Sequence, residues 1–155
     1  WSSDVCSSDL FKPISIEKIV NDIADFFTIE MQNRHIDFSL QLNHHYTMIN
    51  GNENQIKQVF INLIKNAIEA IEHGGKIHLE LNYQDDQLFI SIKDTGIGIP
   101  PHVLERIFEP FYTTKSKGTG LGMMITNKII QEHKGTISIY SEENIGTEVV
   151  ISFPL

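Results

Sequence analysis

Apolar residues recur along this chain in two rhythms, at helical spacing and at every second position, and the switches between them predict its elements. Phe11 to Ile14 reads as a short strand, with Pro13 suiting an edge position. Ser15 then caps a helix on which Ile16, Ile19, Val20, Ile23, Phe26 and Phe27 form one stripe. Ile36, Phe38, Leu40 and Leu42 alternate, so a half-buried strand follows, ended by His44 and His45. Adjacent histidines on a strand point in opposite directions, which argues against a metal site there. Asn52, with Gln55 three residues on, is a capping-box start for a second long helix. Its Ile56, Val59, Phe60, Leu63, Ile64, Ala67, Ala70 and Ile71 fill one arc of the helical wheel.

Gly74 and Gly75 close that helix. Ile77, Leu79, Leu81 and Tyr83 alternate up to a turn at Gln84 to Gln87, and Leu88, Ile90 and Ile92 alternate back, a β-hairpin that delivers Asp94 at its end. Pro100 and Pro101 start a short helix running through Ile107. A third helix is expected from Gly120 to about His133, then strands Thr136 to Tyr140 and Thr147 to Phe153, with Gly146 in the turn between them. His133, beside Lys134 and Gly135, reads as a helix C-terminal residue and not as a catalytic base.

The polar positions that interrupt these rhythms carry the candidate chemistry. Asn62, Asn66 and Glu69 line one edge of the second helix, and Asn66, nearest the apolar seam, is expected to be partly buried. A buried amide needs a partner. It is either bonded to a neighbouring loop or offers its carbonyl oxygen to Mg²⁺, a hard cation that prefers oxygen ligands, phosphates and water. Asp94, at a strand end before a glycine turn, is either a turn residue or an acceptor for a ligand's amino group.

Between Asp94 and Gly122, two glycine clusters bracket a polar stretch. Gly96 and Gly98, directly after an alternating strand, are expected to let the backbone turn sharply. Gly118, Gly120 and Gly122 lead into a helical run, so their N–H groups lie where phosphates bind, with Lys115 and Lys117 just before. Phe108, Phe111 and Tyr112 are open between core, lid hinge and base neighbour. Residues 113 to 119, TTKSKGT, have no apolar anchor and are expected to form a mobile lid that orders around a phosphate. Neither G-x-x-x-x-G-K-[ST] nor G-x-G-x-x-G with a following acidic residue is present, so neither a P-loop nor a Rossmann site is indicated.

A chain of 155 residues with 41% apolar positions suits one domain. Its net charge of -8 argues against a nucleic-acid partner, and no apolar run nears a membrane span or signal peptide, so a cytoplasmic, monomeric domain is expected. The single cysteine, Cys6, excludes an internal disulfide. It lies in residues 1–10, WSSDVCSSDL, which share no pattern with the rest of the chain and are expected to be a foreign or disordered tail. Asp4 to Leu10 can be encoded by GAC GTG TGC TCT TCC GAT CT, which looks like the end of a sequencing adapter.

Laid out in order, NLIKNAIEA, DTGIGIP, FEPFYTTK, GTGLG and a late Gly-Thr give residues 11–155 a resemblance to the ATP-binding catalytic domain of bacterial sensor histidine kinases. The sporulation- and nitrogen-regulation-like branch fits best, within the superfamily shared with gyrase, heat-shock protein 90 and mismatch-repair ATPases. The resemblance implies a Bergerat-type α/β two-layer sandwich: a mixed, mostly antiparallel sheet, three helices on one face and a mobile ATP lid. It implies ATP and Mg²⁺ as cofactors. Asn62 and Asn66 resemble the asparagine box, with Asn66 the direct Mg²⁺ ligand. Asp94 resembles the aspartate that accepts from the adenine amine, with Gly96 and Gly98 beside the base. Phe108 and Phe111 resemble the aromatic box that anchors the lid. Gly118, Thr119, Gly120, Leu121 and Gly122 resemble the second glycine box at the triphosphate, with Lys115 and Lys117 as lid lysines. Gly146 and Thr147 close the adenine side.

The implied reaction is transfer of the γ-phosphate to a histidine on a separate dimerisation and phosphoacceptor domain, with a response regulator downstream. None of His35, His44, His45, His73, His78, His102 or His133 sits in the helical H-E-[LIV]-x-x-P-[LIV] context of such an acceptor. The chain departs from some relatives in having Glu69 and Ala70 where they carry a basic residue and an aromatic. The alternative is a regulatory nucleotide-binding module or an ATPase switch of the same superfamily. ATPase relatives place a glutamate base where this chain has Asn62, which disfavours hydrolysis as the main activity.

Overall fold

The structure is a computed structural model that describes residues 11–43, 48–109 and 122–155. The tail of residues 1–10, His44, His45, and Phe111, Tyr112, Lys115, Lys117, Gly118, Thr119, Gly120 and Leu121 lie outside the described residues, as does the lid stretch 113–119.

Strand β1 (Lys12–Ser15) runs directly into helix α1 (Ile16–Asn33), and the Ser15 hydroxyl accepts the Lys18 N–H, supplying one of the partners that the first turn of a helix lacks. Strand β2 (Ile36–Leu42) follows, then β3 (Met48–Gly51), which pairs antiparallel with β1 in a small two-stranded sheet. Asn52 caps helix α2 (Glu53–Ala70), its side chain accepting the Gln55 N–H. Strands β4 (Gly75–Gln84) and β5 (Gln87–Asp94) form the expected hairpin, with Asp85 and Asp86 both at positive φ, as a tight two-residue turn requires. The short helix α3 (Pro101–Leu104) precedes α4 (Gly122–Glu132), and β6 (Thr136–Glu142) and β7 (Gly146–Pro154) close the chain.

The main sheet has five strands in the order β2-β4-β5-β7-β6, with β2 parallel to β4 and every other pair antiparallel. Helices α1, α2 and α4 cover one face. Alternation explains the core: Ile77, Leu79 and Leu81 on β4, Leu88, Ile90 and Ile92 on β5, and Ile151 and Phe153 on β7 turn inward against Val20, Ile56, Phe60, Ile64 and Ile130. This is the mixed, mostly antiparallel two-layer sandwich expected.

Three details differ from the periodicity. Phe26, counted in the α1 stripe, is 76% exposed, because its neighbour Phe27 takes the inward position. On α2, Ile68 is buried whereas Ala70 is only half-buried at the helix end. Strand β3 was not expected at all. It is four residues long, and its pairing partner β1 lies far away in sequence, so no local rhythm reveals it.

His133, just past α4, is buried and holds the layers together. Its Nδ1 lies 2.8 Å from the Ile129 carbonyl and its Nε2 accepts the Asn52 backbone N–H at 3.0 Å. One partner can only accept and the other only donate, so the ring is the neutral tautomer with its proton on Nδ1. The ring also stacks on Phe11 and meets Phe153 edge-on. This is a structural histidine at a helix end, with both ring nitrogens committed.

Candidate functional site

The candidate residues fall in two groups, one at the C-terminal end of β5 beside the start of β7 and one along the facing edges of α2 and α4. Asp94 ends β5 and is only 7% exposed. Its carboxylate accepts the Gly96 N–H at 2.8 Å and the backbone N–H of Thr147. Burial raises its pKa above the ordinary aspartate value of 3.8, and those two N–H groups offset the rise only in part. Among the described residues no lysine, arginine or histidine forms a salt bridge with Asp94. Among the described residues, the charge of this buried acceptor is therefore not neutralised by a cation. Such a group is costly, which makes it a functional candidate.

The loop after Asp94 is seated by its glycines, Gly98 taking the positive φ that a sharp turn requires. A Cβ on Gly96 would lie 2.6 Å from the Ala70 carbonyl oxygen at the end of α2, whose oxygen also accepts the Ile97 N–H. A Cβ on Gly98, at φ +73°, would overlap the Glu142 carbonyl. These two glycines thus let the loop lie between α2 and the β6–β7 turn. That packing alone requires them, whatever approaches from the ligand side.

On α2, Asn62 and Asn66 stand one helical turn apart on the same face and are both half-buried. Both meet the first turns of α4. The Asn62 amide nitrogen donates to Thr126 Oγ1 at 3.2 Å and lies 3.4 Å from the Gly122 carbonyl, while its oxygen accepts from Gln58. Asn66 Nδ2 lies 3.3 Å from Met123 Sδ. Asn62 is therefore a brace between the two helices, both ends of its amide being used. Asn66 spends its nitrogen on α4.

The donor set limits what metal could be held. Among the described residues no group of three or more His, Cys, Asp or Glu side chains is placed to bind an ion. A single amide oxygen suits an ion that arrives with phosphate and water ligands, as Mg²⁺ does, and does not suit zinc or a protein-caged calcium.

Of the remaining expected residues, Phe108 lies half-buried in the turn that continues α3, Gly122 begins α4, and Thr147 is buried directly beside Asp94. Phe111, Lys115, Lys117, Gly118, Thr119, Gly120 and Leu121 lie outside the described residues. Two residues escaped the sequence reading. Thr126, fully buried on α4, receives the Asn62 amide. Ser141, on β6, bonds to Thr147 and to the loop after Gly98. A sequence signal for Ser141 exists: counting back across the tight β6–β7 hairpin from the Glu142–Gly146 pair puts it opposite Thr147. Alternation alone ends the strand at Tyr140, one residue short of it.

One open cleft of about 200 Å³ is lined by Ala70, Glu72, His73, Thr95, Gly96 and Asn144, against the loop that follows Asp94, and one of about 500 Å³ lies between α1 and β2. Neither is lined by Asn66, Asp94 or Thr147.

The family model described as "Histidine kinase-, DNA gyrase B-, and HSP90-like ATPase" matches residues 51–155. Sporulation kinase A of Bacillus subtilis is 40% identical over 141 residues, covering 91% of this chain and 23% of that protein. The nucleotide-free catalytic domain of histidine kinase ThkA superposes with a TM-score of 0.85 at 33% identity, over 93% of this chain and 95% of that one. ThkA solved in complex with the response regulator protein TrrA gives a TM-score of 0.80 at 31% identity, over 93% of this chain and 41% of that one. The chain spans about a quarter of the length of the curated relatives it matches.

Proposed function

Because the chain belongs to the histidine kinase-, DNA gyrase B- and HSP90-like ATPase family, as the catalytic domain of a sensor histidine kinase, we propose that it binds Mg²⁺-ATP and presents the γ-phosphate to a histidine on a separate helical hairpin. The observation that carries this reading is Asp94: a buried carboxylate at a strand end, served by two backbone N–H groups, with acceptor capacity left for one more donor. The exocyclic amine of adenine is such a donor. At the other end, the first turn of α4 is braced against α2 through Asn62, which fixes the helix N-terminus that would face phosphate. Asn66 would hold Mg²⁺ through its amide oxygen, and the ion would supply charge neutralisation for the β- and γ-phosphates.

The chain's own residues then bind and orient. Phosphoryl transfer depends mainly on positioning and electrostatics, so a rigid cradle supplies much of what this half of the enzyme must contribute. Lys115, Lys117, Phe111 and the glycines 118, 120 and 122 complete the cradle in this proposal. The partner set is the phosphoacceptor and dimerisation domain of the same kinase, with a response regulator downstream, on the cytoplasmic side where ATP is available. Among the described residues no helix is long and apolar enough to cross a membrane. Hydrolysis as the main activity is disfavoured, since Asn62, at the place of the glutamate base in ATPase relatives, is committed to Gln58, Thr126 and Gly122.

The test is phosphotransfer in trans. A helical hairpin bearing the acceptor histidine, mixed with this chain and Mg²⁺-ATP, should gain an acid-labile, base-stable phosphate at a rate that rises with hairpin concentration. Tight ATP binding without any labelling of the hairpin would favour the regulatory-module reading instead.

A further inference from the structure

Thr126 interrupts the apolar seam of α4. Among the described residues it is the most deeply buried polar side chain, at 0% exposed, and it lies three residues before Ile129 and four before Ile130, both buried on the same helix. Valine would fill that space and need no partner, whereas a hydroxyl taken out of water costs free energy unless it is hydrogen-bonded. Its partner comes from the other helix: Asn62 Nδ2 lies 3.2 Å from Thr126 Oγ1.

The same amide nitrogen lies 3.4 Å from the Gly122 carbonyl oxygen. A carbonyl can only accept, so Nδ2 is the end of the amide that faces α4, and it has two protons to give. Gly122 and Thr126 stand four residues apart, about 6 Å along the helix axis. An amide that reaches both resists sliding of α4 along its axis and rotation about it, which a single contact would not do. The 3.4 Å contact is the longer of the two, so the Thr126 hydroxyl carries more of the brace.

We propose that Thr126 is a positioning residue for the polyphosphate end of the nucleotide: through Asn62 it sets where the first turn of α4 stands, and with it the backbone N–H groups that receive phosphate. This rests on the reading that the start of α4 faces the phosphates of ATP. Free N–H groups at a helix N-terminus hold phosphate through directional hydrogen bonds. Their contribution therefore depends on the helix end being in place before the ligand arrives. The base does not depend on α4 in this way, since the Asp94 carboxylate is held by the N–H groups of Gly96 and Thr147, neither of them on α4. Loss of the Thr126 hydroxyl should weaken phosphate recognition and spare base recognition.

The experiment measures binding of adenosine and of Mg²⁺-ATP to the full chain by calorimetry, the ratio of the two affinities reporting what the phosphates add. In Thr126→Val, which exchanges the hydroxyl for a methyl group, that ratio is expected to fall by roughly twofold to tenfold, the range of one lost neutral hydrogen bond, with adenosine affinity unchanged. Thr126→Ser keeps a hydroxyl and should restore the ratio. In an Asn62→Ala background Thr126→Val should lower it no further, because the hydroxyl acts through that amide. A ratio compares two ligands on the same folded molecules, so a general loss of stability does not move it. If Thr126→Val does not fold, Thr126→Ala, which also removes the hydroxyl, is expected to lower the ratio in its place. The inference is overturned if the hydroxyl-free variant keeps the wild-type ratio, whether or not both affinities fall together. It is equally overturned if Thr126→Ser behaves like Thr126→Val. A wild-type chain that binds no Mg²⁺-ATP, or binds it no better than adenosine, would instead remove the reading on which the inference rests.

Discussion

Asp94 carries opposite signs for stability and for binding. Its folded pKa is raised by burial, so between 3.8 and that raised value the folded chain holds more protons than the unfolded one. Ionisation of Asp94 therefore subtracts from stability as pH rises through that window, and the deficit is complete above it. The apo Asp94→Asn variant is expected to melt higher than wild type at neutral pH, with the advantage shrinking on acidification. Thermal melts of both proteins across pH check this. Nucleotide affinity should run the other way. Protonation removes the charge and turns one carboxylate oxygen into a donor, so as pH falls wild-type affinity should begin to drop at a pH above that of an ordinary aspartate. Asn66 separates metal from base. Asn66→Ala is expected to lower affinity for Mg²⁺-ATP more than affinity for ATP in excess chelator, and an equal fall in both would make it a purely structural amide.

At the level of elements, the tightest fit is the loop after β5 against the β6–β7 turn. Gly98→Ala would force a Cβ into the Glu142 carbonyl at positive φ, and a cost of about 1 to 3 kcal/mol is expected from the backbone strain, read as a lowered denaturant midpoint together with weaker nucleotide binding. On α1 the contrast between neighbours is the test: Phe26→Ser should change stability by less than about 0.5 kcal/mol, whereas Phe27→Ala should cost about 3 to 5 kcal/mol. That contrast also marks the limit of what the sequence shows. Side-chain caps made both long helices legible, since Ser15 and Asn52 announce their starts in the residues themselves. Alternation with a two-aspartate turn made the β4–β5 hairpin legible for the same local reason. Phe26 was misread because a helical stripe drawn from spacing alone is wider than the surface that can be buried. Strand β3 depends on pairing between distant segments, which no window along the chain contains, whereas Ser141 was missed because alternation ends β6 one residue before it. The asparagines were visible as polar interruptions, but their division of labour was not. Only the position of α4 shows that Asn62 braces a helix.

At the scale of the whole molecule, the proposed function gives this chain the nucleotide cradle and assigns the acceptor histidine to a separate domain. The chain's two long helices and α4 cover a five-stranded sheet, with Asp94 paired to Thr147 at the end of β5 and Asn66 against Met123 at the start of α4. Negligible phosphohistidine is expected when the chain is incubated alone with Mg²⁺-ATP, because none of its seven histidines lies in an acceptor context; stable labelling of one of them would contradict the view of this chain as half of a kinase. The most direct test of the account is a calorimetric titration of ADP into the wild-type chain and into Asp94→Asn. Wild type should bind one nucleotide per chain. The variant, still folded, should bind about tenfold to a hundredfold more weakly, as loss of a hydrogen bond to a charged group requires. Unchanged affinity in the folded variant would contradict the account, because the adenine would then not be read by the buried Asp94 carboxylate.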